Sequence, residues 1–368
     1  LRRPDTFRIS RAQFCSGAAT ALVSSSLGTR GAIAQTLPAQ DELAVLAKLG
    51  SLMEGVYPRG AFPNPDGASE ANKSGYIQVG FQYETFALVP YAIGLKSTRF
   101  LDALLRVAEY AFAHQHPDGR FDYSESNGTV TTGSVQGPLA EASTATTFFS
   151  DFGHTLILLP KDPWFATSPE CATYRRRLSA LRQKCGISLD WLLSQKTLLP
   201  QDHAASNRTL AHAMAYYFLG RVLDNAEAMA TGRNIFLAAI RAQTPDGVFL
   251  ENGGFDSSYQ MTNVLYCEWI YLCLDPSDAD IRPELWQAIG RGIARERPSV
   301  LPSGEVETAG NSRITESGEV YLGHRKTVNS KQVIAGLGYY GVMASDPGIM
   351  ATTRRVYHYY YPADKIDF

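Results

Sequence analysis

The stretch Gln115-His116-Pro117-Asp118-Gly119-Arg120-Phe121 returns 128 positions later as Gln243-Thr244-Pro245-Asp246-Gly247-Val248-Phe249, identical at glutamine, proline, aspartate, glycine and phenylalanine. Each copy follows an apolar helical stripe and ends it. Proline cannot continue a helix, Asp-Gly makes a tight turn, and the phenylalanine takes the chain back into the core. A weaker third copy, Pro302-Ser303-Gly304-Glu305-Val306, starts 57 residues after Pro245. Spacings of about 60 residues and its double are those of stacked helical hairpins whose turns collect at one end.

The apolar pattern between these turns is helical. Roughly ten periodic segments are centred near residues 47, 85, 106, 149, 182, 215, 235, 265, 288 and 336. In the third of them Phe100, Leu101, Leu104, Leu105, Ala108, Ala111 and Phe112 lie on one buried stripe. Strand-like alternation is scarce, so the predicted class is all-α. Residues 298–325, rich in Gly, Ser, Thr and Glu, predict loops or short strands, followed by a final helix over 330–343. The terminal cluster Tyr357, His358, Tyr359, Tyr360, Tyr361 reads as a tail packed on the body, with lining of a sugar cleft as its other use.

With 368 residues the chain is long enough for a large core, and its formal charge of −2 provides no field for gathering nucleic acid or an anionic membrane. An anionic ligand must be gripped by local groups. At the N-terminus, Arg2, Arg3, Arg8 and Arg11 precede a mildly apolar run from Ala18 to Leu27 and then Ala32-Ile33-Ala34. This order predicts an export leader over residues 1–34 that leaves Gln35 first, and a periplasmic or extracellular location. Ser10-Arg11-Ala12-Gln13-Phe14 resembles a twin-arginine signal in which Ala12 replaces the second arginine. The apolar run is shorter than the roughly 20 residues that span a bilayer, so no stable membrane insertion is expected after leader removal.

Four cysteines remain beyond the leader: Cys171, Cys185, Cys267 and Cys273. An oxidising compartment permits a Cys171–Cys185 bond, whereas Cys267 and Cys273 point to different faces of one helix. There is no CxxC pair and no HExxH box, so neither a zinc ribbon nor that protease class is supported and no metal or cofactor is expected in the chemistry.

Three polar groups interrupt the apolar pattern. The first is Gln201-Asp202-His203-Ala204-Ala205-Ser206-Asn207-Arg208-Thr209-Leu210-Ala211-His212. A helix starting at Asp202 puts His203 and Asn207 on one face and Arg208 and His212 on another, with Asp202 or Ser206 as cap. Capping alone does not need so many His, Asn and Arg side chains. The second group, Glu251-Asn252-Gly253-Gly254-Phe255-Asp256-Ser257-Ser258-Tyr259-Gln260, predicts a sharp Gly-Gly bend and a helix from Ser257 to about Leu274 capped by Asp256. Tyr259, Asn263 and Tyr266 share a face of that helix. The third comprises Gln78, Gln82 and Glu84, read as a second helix with Gln78 and Gln82 on one face, facing either sugar hydroxyls or solvent. In the late loop, Arg313, Glu316, His324, Arg325 and Lys326 are placed to fold over a cleft and grip an acidic substrate.

The "PDGxF" turns resemble those of the (α/α) toroid, a ring of helical hairpins around a central cleft used by many polysaccharide lyases and glycoside hydrolases. Toroids also serve terpene cyclases and protein prenyltransferases; the Asp-rich DxDD and DDxxD motifs of such cyclases are absent here. Together, the polar groups near 202–212 and 251–260 resemble the motifs of heparinase II/III-like and related toroid lyases. Those pair an Asn/His-containing helix start with a later Gly-rich turn and an S-x-Y tyrosine, here Ser257-Ser258-Tyr259. The usual Asn-Asn-His order is not reproduced, because Asp202-His203 precedes Asn207-Arg208. The resemblance implies a single toroid domain over 35–368 that eliminates a 4-linked sugar from a uronate in an acidic polysaccharide.

That chemistry removes the proton beside a carboxylate, so the enolate charge must be neutralised by donors or cations. His203, Asn207 and Arg208 suit that task, and Tyr259 suits acid and base. Gln78, Gln82, Glu251, Asn252, Asn263, Arg313 and His324 are the expected substrate contacts. A glycoside hydrolase on the same fold would instead need two carboxylates, from among Asp118, Asp122, Asp202, Asp246, Glu251 and Asp256. Asp118 and Asp246 occupy equivalent places in the repeated turn and look structural. A carbohydrate-binding protein without catalysis would need only the aromatic and polar cleft.

Overall fold

The apolar stripes fold as helices. A computed structural model describes residues 41–56, 62–83, 85–123, 137–201, 205–314, 320–321 and 324–362. The chain divides into Leu1–Thr36 and Leu37–Phe368; the first unit, and with it the expected leader, lies outside the described residues. In chain order the helices are α1 (Glu42–Val56), α2 (Val89–Gly94), α3 (Thr98–Ala113), α4 (Pro138–Leu158), α5 (Pro163–Thr167) and α6 (Ala172–Ser194). They continue with α7 (Ser206–Leu223), α8 (Ala226–Arg241), α9 (Ser257–Leu272), α10 (Arg282–Glu296), α11 (Ser330–Met343) and α12 (Pro347–Tyr360). Among the described residues the only named strands are β1 (Val320–Tyr321) and β2 (His324–Arg325), an antiparallel pair in the late loop.

The helices form a ring of hairpins. α4 packs on α7, α7 on α9, α9 on α11, α11 on α1 and α1 on α2, and the 3-10 turns Val79–Gln82 and Phe86–Leu88 return to α4. These elements are the inner layer, and most residues of α4, α7, α9 and α11 are buried. Outside them lie α3, α6, α8, α10 and α12; α3 and α10, for example, alternate buried apolar and solvated positions, as a helix covered on one side must. The architecture is an (α/α) toroid. No helix among the described residues is long and apolar enough to cross a membrane.

Among the described residues the repeated turn occurs four times. The N–H groups of Gly67, Gly119, Gly247 and Gly304 donate to the carbonyls of Asn64, His116, Thr244 and Leu301, each at 2.9 Å. The N–H groups of those four partners donate in turn to Ala68, Arg120, Val248 and Glu305. Every one of the four glycines has φ between +90° and +102° and presses on the carbonyl oxygen of Arg106, Ile187, Arg291 or Arg355, where a Cβ would sit only 2.1–2.3 Å away. Each turn therefore latches onto an outer helix: α3, α6, α10 and α12 respectively. The additional copy, Asn64-Pro65-Asp66-Gly67-Ala68, keeps Pro-Asp-Gly but has neither the glutamine nor the phenylalanine.

Two buried glutamines lock a pair of these turns in the same way. Gln260 Nε2 donates to the carbonyls of Gly247 (2.9 Å) and Gly292 (3.2 Å), and its Oε1 accepts from Phe249 N (2.9 Å). Gln82 Nε2 donates to Gly67 (3.0 Å) and Val107 (3.1 Å), and its Oε1 accepts from Ser69 N (2.8 Å). This corrects the expectation that Gln82 binds sugar: its amide is fully buried and spent on backbone and on the side chains of Ser69 and Asn72. Gln78 is corrected likewise. It is buried, bridges to Tyr123 and lies ahead of a 3-10 turn rather than on a second helix; Glu84 lies outside the described residues.

Other differences are local. Tyr357, Tyr359 and Tyr360 belong to α12 and Tyr361 is its C-cap, because Asp346 caps a helix that Pro347 opens and Ile349, Val356 and Tyr357 bury. Cys171, Cys185, Cys267 and Cys273 are all buried and unbridged.

Candidate active site

α4, α7, α9 and α11 all begin at the end of the ring where the turns and long loops collect, so the polar groups near residues 205 and 251 meet there. Glu251 and Gly254 exchange both backbone hydrogen bonds (2.9 and 3.1 Å) around Asn252 (φ 50°) and Gly253 (φ 81°), and Glu251 also bridges to Ala205. The bend aims the chain into α9, whose first turn Asp256 caps through Tyr259 N (3.2 Å). The late loop is tied to the same place. Ser312 N donates to Phe255 O (2.7 Å), Ser312 Oγ to Glu251 O (2.7 Å), and Asn329 N to Ser258 Oγ (2.8 Å).

These ties bring cations onto Tyr259. Arg313 pairs with Glu251 and lies over the Tyr259 ring at 4.3 Å. Lys326 Nζ donates to the Tyr259 hydroxyl and sits 4.1 Å from the ring centroid. Burial lifts the Glu251 carboxyl above its ordinary range, against the pull of Arg313, Lys326 and Arg208. Three cations thus surround one carboxylate, and the Tyr259 hydroxyl stands at their edge. Phenolate is favoured where a cation donates to the oxygen.

Behind this cluster runs a cleft of about 350 Å³ between α4, α9, the start of α11 and the 3-10 turn at Phe86. Tyr83, Asp151, Tyr266, Trp269, Asn329 and Tyr361 are among its lining residues. Tyr266 follows Tyr259 by two turns on the same face of α9, about 10 Å along the axis. Asp151 accepts hydrogen bonds from Thr85 Oγ1 and from Phe86 N (2.9 Å). Burial raises its carboxyl to about 7 in spite of those donors. A carboxyl that holds its proton near neutrality, in a cleft with aromatic walls, is equipped to donate it.

A larger cavity of about 520 Å³, lined by Leu156, Lys161, Arg175, Arg182 and Arg221 among others, lies at the far end of α4. Its arginines are occupied with backbone: Arg175 with Phe165 and Ser168, Arg182 with Val222, Arg221 with Cys273. It is scaffold.

The structure gathers Tyr259, Arg208, Arg313 and Glu251, and adds Lys326 to them. Asn207 lies beside Arg208 on the first turn of α7, and its Oδ1 is buried without a hydrogen-bond partner among the described residues. His203 lies outside the described residues; α7 begins at Ser206 with Ala205 as cap rather than at Asp202. His324 occupies β2 opposite Tyr321. Two expected substrate contacts, Glu251 and Asn263, are corrected by their burial. Glu251 is fully buried and holds Arg313; Asn252 is exposed at the tip of the bend, its backbone rather than its side chain making the turn; and Asn263 is fully buried, tying Ser206 Oγ (2.8 Å) to Tyr259 O (2.7 Å). His212 is no cation either, since burial and the neighbouring Arg208 drop its imidazole to about 3.

Asp151 escaped the motif reading, although the sequence marks it: between Glu141 and Lys161 it and His154 are the only ionisable residues in an otherwise apolar and hydroxyl-bearing helix. Of the carboxylates considered for hydrolysis, Asp122 pairs with His114 and His116 and Asp256 is a helix cap.

No protein-family model matches the chain, and no curated protein does. Among solved structures it is similar to the unsaturated glucuronyl hydrolase of Bacillus sp. GL1, responsible for the degradation of glycosaminoglycan, with a TM-score of 0.43, 12% identity and 74% of each chain covered. A second, a single-residue UGL variant with the oligosaccharide dGlcA-Glc-Rha-Glc, gives a TM-score of 0.42 at 12% identity over 74% of each chain.

Proposed function

We propose that this chain degrades an acidic polysaccharide as a lyase, cleaving beside a uronate by β-elimination. The observation that supports it is the Tyr259 hydroxyl, which accepts from Lys326 Nζ while Arg313 covers the ring. Lys326 favours the phenolate, which takes the proton from C5 of the uronate. Arg313 and Arg208, with the amide of Asn207, neutralise the carboxylate as the enolate forms. The C4–O bond then breaks, C4=C5 forms, and Tyr259 returns its proton to the leaving oxygen. The chain ends as it began, with no water consumed. Glu251 acts by holding Arg313 in place.

The experiment is ultraviolet absorbance during incubation with a panel of uronate-containing polysaccharides, beside a reducing-sugar assay. Absorbance that rises with turnover supports elimination; reducing ends without absorbance sink it.

One observation favours a second reading, hydrolysis, in which the protonated Asp151 carboxyl serves as general acid. Under that reading turnover falls as pH rises past about 7, and Asp151→Asn abolishes it. Under the lyase reading the same variant keeps its absorbance signal. Stability gives an independent check on the protonation itself. Between the ordinary carboxylate range and about 7, folded Asp151 holds a proton that the unfolded chain releases, so its contribution to stability worsens as pH climbs through that window. Asp151→Asn is therefore expected to raise the urea midpoint relative to the parent more at pH 8 than at pH 5; an equal shift at both would show an ordinary carboxylate.

A further inference from the structure

At the far end of the ring, away from Tyr259, four inner elements meet around one carboxylate. Glu42, in the first turn of α1, places Oε2 2.7 Å from His154 Nε2 of α4 and 3.5 Å from Cys273 Sγ at the end of α9, while its Oε1 accepts from Tyr339 OH of α11 (3.2 Å). One donor atom from each of Glu42, His154 and Cys273 lies within 4.8 Å of the other two. Their exposures are 2%, 0% and 0%. Phe86 stacks on the His154 ring at 3.8 Å and 10°, which fixes the imidazole plane.

We propose that Glu42, His154 and Cys273 bind a divalent transition metal ion of the zinc class, which ties the ring together. A Glu–His contact without metal is the competing account. With a neutral imidazole it leaves the Glu42 carboxylate with no counter-charge bonded to it among the described residues, while the buried His154 Nδ1 carries its hydrogen whether Nε2 holds a metal or the ring is charged and so does not separate the two accounts. Nor does an ion pair need a thiol aimed at the same oxygen. A dication with one carboxylate, one thiolate and one neutral imidazole carries no net charge, which is what a water-free interior tolerates. Thiolate and imidazole together select zinc or a similar ion over magnesium or calcium.

The geometry fits. Tetrahedral zinc with bonds of about 2.0–2.3 Å spaces its ligand atoms roughly 3.3–3.8 Å apart. The Cys273–Glu42 separation of 3.5 Å already matches, and the His154–Glu42 contact of 2.7 Å has to open by less than about 1 Å. Tyr339, on the other carboxylate oxygen, orients Glu42 from outside. Because all three ligands are buried, the ion enters as the ring closes rather than by diffusion into a finished site.

The test uses the full chain expressed in zinc-supplemented medium and desalted, with metal measured by elemental analysis. The expected content is about one zinc ion per chain, falling at least about tenfold in Cys273→Ser, a near-isosteric change that preserves packing. Expression with cobalt instead is expected to give a thiolate-to-metal charge-transfer band in the intact chain, a readout that needs no variant. Metal-free intact chain overturns the proposal, as does full zinc content in both Cys273→Ser and Glu42→Gln.

Discussion

A Tyr259→Phe chain is expected to fold as its parent does and to lose at least about 10³-fold in turnover on whichever uronate polysaccharide the parent cleaves. The change deletes one oxygen from a half-buried ring whose packing under Arg313 is unaltered. If phenolate is both base and acid, no other group supplies either proton transfer, and the loss falls in kcat more than in KM. Lys326→Met tests the cause. Without the ammonium on the hydroxyl the phenolate is harder to reach, so the activity that remains should require higher pH than in the parent. Absorbance at saturating substrate measures both effects; a Tyr259→Phe chain within about tenfold of the parent would remove Tyr259 from the chemistry.

Gly247→Ala is expected to destabilise the chain by about 3 kcal/mol or more. Two costs add. Alanine at φ +90° costs about 1–2 kcal/mol, and its Cβ meets the Arg291 carbonyl oxygen at 2.3 Å, so the turn must leave α10. That displacement also pulls Gly247 O away from Gln243 and Gln260. Gly253 provides an internal control. It has φ +81° but nothing within 4 Å of the place a methyl would take, so Gly253→Ala bears only the backbone cost. Urea midpoints of the two variants separate the contributions; equal midpoints would mean that the contact with α10 contributes nothing.

The fold was legible where its determinants are short-range. α3 and α9 each announce themselves within a span of about 16 residues, by a buried stripe in one and an aspartate cap after Gly-Gly in the other. The turn is legible for the same reason, and the copy at Gly67 was hidden only because it lacks the flanking glutamine and phenylalanine. Where burial depends on a distant partner, local reading went astray. Gln82 looks like a solvated or sugar-binding residue until the turn at Gly67 and the carbonyl of Val107 are brought to it. α12 buries a stripe of Thr352, Thr353 and Tyr357 beside Ile349 and Val356, a mixture that does not read as an apolar face.

The candidate site divides along the same line. Its residue types at 207–208 and 251–259 stand out as chemistry, because so dense a polar group is unneeded for capping. What assembles them comes from 62 and 67 residues away, Arg313 to Glu251 and Lys326 to Tyr259, through a loop with no periodicity to read. Asp151 was visible only as an anomaly, a carboxyl in the apolar middle of a helix, and periodicity files such a residue with the core.

The ring also dictates an order of events as the protein folds. Each of the hairpins α7/α8, α9/α10 and α11/α12 is made of neighbours in sequence and can pair soon after its two helices exist. α1 packs on the short helix α2 that follows it, but the partners of its buried carboxylate are distant: Glu42 finds His154 only 112 residues later, Cys273 after 231 and Tyr339 after 297. Bringing the last of these together costs about 5 kcal/mol of chain entropy, which the local pairings never meet. The first helix of the body is accordingly the last to be seated, and until α11 is in place its carboxylate stays in water. Folding of this chain should show fast hairpin formation followed by one slow, non-local closure.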